Sequence, residues 1–127
     1  MAWVAAVAVL ALIEYLVFSM FVGWARGRYG VEAPATTGDP VFERYFRVHQ
    51  NTLEQLVVFL PALFLFATWV SPTWAAWIGL AFPIGRLIYF RSYVSDPKSR
   101  GVGFGIGYLA NAALVIGSAV GVVLGLL

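Results

Sequence analysis

Apolar residues run almost unbroken through four stretches of the chain: Trp3 to Trp24, Phe42 to Val70, Trp74 to Tyr93 and Val102 to Leu127. Each meets or exceeds the roughly 20 residues that a membrane-spanning helix needs. Polar positions gather in the connections, with one exception. The second stretch opens on RVHQNTLE, Arg47 to Glu54. Continued as a helix at about 100° per residue, Arg47, Asn51 and Glu54 fall within roughly 60° of one another. Glu43, Arg44 and Gln50 widen that stripe to about 120°.

Local signals place the ends and bends of these helices. Asp39 followed by Pro40 predicts an N-cap with proline in the first turn of the second helix. Pro61 predicts a kink in it, and Ser71 or Thr73 is expected to cap the third. The segment from Arg26 to Pro40, rich in Gly, Pro and Thr, reads as a loop long enough to fold over a cavity mouth. Gly101, Gly103, Gly105 and Gly107 predict close backbone approach by the fourth helix. Gly117, Gly121 and Gly125 extend that expectation further along it.

Composition fixes the class. Of 127 residues, 61% are apolar and 11% charged, against about 45–50% and 25% in soluble domains. An all-α integral membrane protein is expected, a bundle of four transmembrane helices forming one domain over residues 1–127. No basic segment precedes Trp3, and the first apolar run continues past Glu14, too long for a signal-peptide core. It reads as a retained first helix.

The eight basic residues lie toward one side. Arg26, Arg28, Arg44 and Arg47 flank the first connection; Arg86, Arg91, Lys98 and Arg100 flank the third. The positive-inside rule assigns that side to the cytoplasm and both termini to the periplasm or lumen. The basic balance follows from this topology and does not point to nucleic acid. With no cysteine, disulfides, thiolate metal sites and a protein thiol nucleophile are excluded. His49 has no second histidine at ligand spacing, so no metal site is expected.

Ionised groups in a spanning helix cost about 2.5–3.5 kcal/mol each near the bilayer centre, so they normally face a bundle interior or a wet cavity and mark a site. The third helix adds Arg86, Tyr89, Phe90 and Tyr93 on one face. Brought together, Arg26, Arg47, Arg86 and Arg100 supply cations, Glu54 an anion, Asn51 an amide, and the tyrosines hydroxyls. The complementary ligand carries several carboxylates, an ammonium and amides. Glutathione fits that description, with arginines on its carboxylates and Glu54 on its ammonium. The competing account is an internal network that knits the helices, with Arg86 pairing inside the bundle, Tyr89 and Tyr93 as interfacial aromatics, and Arg26 and Arg100 as ordinary positive-inside charges.

RYGVEAPATTGDPVFERYFRVHQNTLE and GRLIYFRSYVSDPKSR resemble the MAPEG family, which includes microsomal glutathione transferases and leukotriene C synthase. The resemblance implies a homotrimer in membrane lipid, with glutathione as cosubstrate bound between neighbouring subunits on the cytoplasmic side. It implies Arg47, Asn51, Glu54, Gln55, Tyr89 and Tyr93 as one subunit's glutathione contacts, Gln55 standing where some members carry an aromatic residue. Arg26 and His49 would come from the neighbour. In agreement, His49 lies about 160° from Asn51 on the helical wheel. Arg100 matches the family's catalytic arginine. Gly27 stands where leukotriene C synthase has a second arginine, which argues against that particular activity.

Arg100 also has a physical rationale. A thiol with pKa near 8.5 is only a few per cent thiolate at neutral pH. Lowering that pKa by about two units takes about 2.7 kcal/mol, which an adjacent guanidinium in a partly desolvated pocket can supply. The thiolate then attacks an apolar electrophile or a peroxide dissolved in the lipid.

Two other readings stay open. One is a non-catalytic lipid- or glutathione-binding protein of the same fold. The other is a small proton-coupled exporter using Glu14, a carboxylate near mid-membrane. For Glu14 itself the expectation is a hydrogen bond within the trimer, to Asn111 or to neighbours of Tyr15, or a protonated state. A bacterial inner membrane is the expected location.

Overall fold

The structure, a computed structural model, describes residues 1–127 and is helical almost throughout. Four long helices follow in order: α1 (Ala2–Tyr29), α2 (Pro40–Trp69), α3 (Pro72–Ser95) and α4 (Gly101–Leu126), with a short 3₁₀ turn at Pro97–Ser99 before α4. α1, α2 and the segment Pro97–Leu126 are long and apolar enough to cross a membrane. α3 has the length but falls short in hydropathy, because Arg86 and several Trp, Tyr, Gly and Pro residues dilute its apolar content.

The caps form as the sequence predicts. Asp39 Oδ1 accepts from the backbone N–H groups of Val41 and Phe42, both at 2.9 Å, with Pro40 opening α2. Ser71 Oγ accepts from Trp74 N–H at 3.2 Å, and Pro72 opens α3. The first connection is shorter than expected. α1 continues through Arg26 to Tyr29 and ends on Gly30, whose φ of 70° places it in the left-handed region that glycine tolerates. Arg26 is therefore a helical residue. Its Nη1 donates to the Ala35 carbonyl at 2.7 Å, drawing the connection back toward the helix end.

α2 and α3 form the middle of the molecule, joined by only Val70 and Ser71. α1 packs on one side of this pair and α4 on the other, without substantial contact between α1 and α4. Alternating direction puts the end of α1, the start of α2, the end of α3 and the start of α4 at one pole. Seven of the eight basic side chains belong to those segments; Arg86 lies deeper, inside α3.

The main core lies toward the other pole. Val4, Val7 and Ala11 of α1 join Leu56, Phe59 and Leu63 of α2, Ala75 and Phe82 of α3, and Leu114 of α4. The Phe59 and Phe82 rings stack with centroids 4.1 Å apart. Pro61 and Pro83 sit inside helices that continue past them.

Only part of the expected glycine contact is realised between α3 and α4. A Cβ on Gly103 would collide with the Tyr89 backbone, and one on Gly85 would come within 2.8 Å of Gly107 N. Gly101 and Gly105 have open space where a Cβ would stand, because they lie on the opposite side of α4. Further along, Gly117 accommodates the Phe66 ring, while Gly121 and Gly125 accommodate Trp69.

Candidate functional site

At the basic pole the α2 stripe meets α3 through Arg86. This guanidinium is only 1% exposed. Its Nη2 donates to Asn51 Oδ1 at 2.8 Å and to Thr52 Oγ1 at 3.1 Å. Its carbon lies 4.2 Å from the Tyr89 ring centroid, over the ring face, a cation–π contact. Tyr89 in turn stacks on Tyr93 at 5.5 Å. Asn51, Arg86, Tyr89 and Tyr93 thus form one connected assembly.

Thr52 was not among the candidates that the sequence offers. It is fully buried, donates to the Val48 carbonyl at 2.7 Å and accepts from Arg86. Its position one residue beyond Asn51 places it off the polar stripe, so wheel geometry alone has no signal for it. Arg44 also finds a particular role: its Nη1 donates to the Val94 carbonyl at 3.1 Å, clamping the start of α2 to the end of α3.

Arg47 and Glu54 are exposed at either side of Asn51 on the same α2 face. An internal network therefore accounts for Arg86 and Asn51 but not for these two charges. Arg100 is exposed where the 3₁₀ turn meets α4, and its Nη1 donates to the Pro97 carbonyl at 2.8 Å.

Three candidates lie apart from this assembly within one chain. His49 stacks on Tyr15 of α1, centroids 4.5 Å apart, and so points to a different helix from Asn51. Arg26 is held between Ala35 and the Phe42 ring, 4.9 Å from its centroid. Gln55 accepts from Asn111 Nδ2 at 3.3 Å, joining α2 to α4. Within one chain Asn111 does not reach Glu14: it lies on α4, which makes no substantial contact with α1, and Glu14 Oε1 is buried without a hydrogen-bond partner.

The same α2 face changes character beyond Glu54. Val58, Pro61 and Leu65 continue the stripe at helical spacing and, with Val115, Ala119 and Val122 of α4, line an apolar groove of about 380 Å³. A larger apolar cavity, about 690 Å³, lies at the opposite pole between Trp3, Leu10, Trp77 and Leu80. Neither contains any of the charged candidates.

Long apolar helices with exposed hydrophobic side chains along much of their length define an integral membrane protein. The chain belongs to the MAPEG family, whose sequence profile matches residues 4–120. It is 47% identical over 116 residues to an uncharacterized protein of Synechocystis sp., covering 91% of this chain and 85% of that one. It is 36% identical over 118 residues to human microsomal glutathione S-transferase 2, covering 93% and 80%. Bovine leukotriene C4 synthase is 34% identical over 99 residues, covering 78% of this chain and 66% of the synthase.

Proposed function

We propose that this protein is a membrane-embedded glutathione transferase that activates the glutathione thiol for attack on apolar electrophiles, with peroxides as a second substrate class. The observation that carries the reading is the divided face of α2. Arg47, Asn51 and Glu54 present a cation, an amide and an anion, and the next turns of the same face form an apolar groove. A zwitterionic peptide meets the first half and a lipid-soluble substrate the second. The relatives named as microsomal glutathione S-transferases support glutathione as the cosubstrate.

In this reading Arg47 takes a glutathione carboxylate, Glu54 its ammonium and Asn51 an amide, with Tyr89 and Tyr93 closing the side. Arg100 stabilises the thiolate; the thiol proton leaves to solvent, and sulfur forms a bond to the electrophilic carbon as the leaving group departs. Because Arg26 and His49 face away from Asn51 within one chain, they serve the site of a neighbouring subunit in a homotrimer. The basic pole faces the cytoplasm, both termini lie on the far side, and a bacterial inner membrane is the proposed setting.

The test is an ultraviolet difference spectrum of the purified protein titrated with glutathione, beside Arg100→Ala. A saturable thiolate band that disappears in the variant is expected. Glutathione binding without that band would replace this reading with a non-catalytic binding protein. Absence of binding in folded trimer would overturn the glutathione site altogether.

A further inference from the structure

α1 and α3 run parallel at a constant register. Val7 stands against Gly79, where a Cβ would come within 3.3 Å of it, and Phe18 stacks on Phe90 with centroids 4.7 Å apart. Both pairs differ by 72 positions (79 − 7 and 90 − 18). The same offset carries Glu14 to Arg86.

Three helices confirm the level. Ala11, Leu56, Phe59 and Phe82 belong to one apolar cluster, while Phe18, Val48 and Tyr89 form another. Between those clusters each helix contributes a polar side chain: Glu14 on α1, Thr52 on α2 and Arg86 on α3. The layer holds two complementary loose ends. Glu14 Oε1, an acceptor, and Arg86 Nε–H, a donor, are both buried and neither has a hydrogen-bond partner. On α4, Gly107 contributes only space, 3.6 Å from Arg86 Cδ to where its Cβ would stand.

We propose that Glu14 is the counter-charge of Arg86 and, through it, a positioning residue for Asn51. This rests on the reading of the Asn51 face as the glutathione site. A guanidinium cannot shed its proton at any ordinary pH, and a buried cation without an anion is strongly disfavoured. Asn51, Thr52 and the Tyr89 ring face offer Arg86 only dipoles. Of the six acidic residues, only Glu14 and Glu54 fall at this level, and Glu54 is exposed whereas Glu14 holds a buried, unpartnered carboxylate oxygen. With the Glu14 carboxylate acting on the Nε edge, the Nη2 edge stays directed at Asn51 and fixes which way that amide faces the ligand. Without it the guanidinium turns in search of another acceptor, and Asn51 loses its orientation.

The experiment compares wild type with Glu14→Gln, Glu14→Asp, Arg86→Gln and the Glu14→Gln/Arg86→Gln pair, all as intact purified protein in lipid. Glutathione affinity is read by equilibrium dialysis, steady-state kinetics by turnover, and folding by thermal unfolding. Glu14→Gln is expected to raise the KM for glutathione about tenfold with kcat nearly unchanged, the signature of lost ground-state binding. Glu14→Asp restores much of the affinity. The double variant binds no worse than Arg86→Gln alone, since the pair acts as one unit. Additive losses in affinity and thermal midpoint, with wild-type glutathione binding intact, would overturn the pairing alone. Wild-type protein that is folded but binds no glutathione would overturn the reading of the site and the positioning role with it, even if the two single changes remained non-additive in thermal unfolding.

Discussion

Arg86 reaches across from α3 to hold Asn51 of α2, Nη2 to Oδ1 at 2.8 Å, so that a buried cation orients an amide on the candidate ligand face. Asn51→Ala removes an acceptor from a guanidinium that has no access to water. Hydrogen bonds to charged groups are worth about 1.5–3 kcal/mol. The variant is expected to unfold several degrees earlier and to bind glutathione more weakly, checked by thermal unfolding and dialysis on the same preparation.

Arg47 and Glu54 behave differently, because both are exposed in the single chain. Alanine at either position leaves stability within about 0.5 kcal/mol of wild type. Glutathione affinity falls roughly 10- to 150-fold if each makes one charge-assisted contact. Equal losses of stability and affinity would return these residues to an internal structural role.

Two glycines one half-turn apart on α4 give a paired test. Gly103→Ala drives a methyl group into the Tyr89 backbone, where no flexible side chain can yield, and overpacking of this kind costs about 1–3 kcal/mol or more. Gly105→Ala meets nothing within 4 Å and gains up to about 1 kcal/mol of helix propensity. Thermal midpoints of the two variants should therefore move in opposite directions.

Asp39→Ala removes the acceptor for two backbone N–H groups at the start of α2. The loss of such a cap costs about 0.5–2 kcal/mol. Asp39→Asn or Asp39→Ser should recover most of it in the same unfolding assay, since either side chain can accept the same bonds.

Features governed by local chemistry were legible in the chain. Asp39-Pro40 announces a helix start because capping needs only neighbouring residues, and of the two caps offered for α3, Ser71 and Thr73, Ser71 is the one used. The Arg47–Glu54 stripe likewise follows from a single helical period. What the sequence leaves open is the register between helices. Gly101 and Gly105 have the same spacing as Gly103 and Gly107, and only the way α4 faces α3 decides which pair is buried. Whether Asn111 can meet Glu14 likewise depends on packing order, and within one chain α1 and α4 lie on opposite sides of the α2–α3 pair. The end of α1 falls at Gly30 rather than near Arg26, a distinction set by backbone conformation at one residue.

The glycine seam between α3 and α4 has a mechanical consequence. Where two backbones touch with no side chain between them, sliding by even a fraction of a turn brings a Cα or carbonyl into collision. Arg100, at the joint leading into α4, stands three residues before Gly103, where that contact is tightest. Arg26 belongs to α1, whose glycines, Gly23 and Gly27, meet nothing within 4 Å of where a Cβ would stand and so make no seam of this kind. The α3–α4 pair is thus locked in register backbone to backbone, while Glu14, the proposed partner of Arg86, is carried on a helix outside that lock.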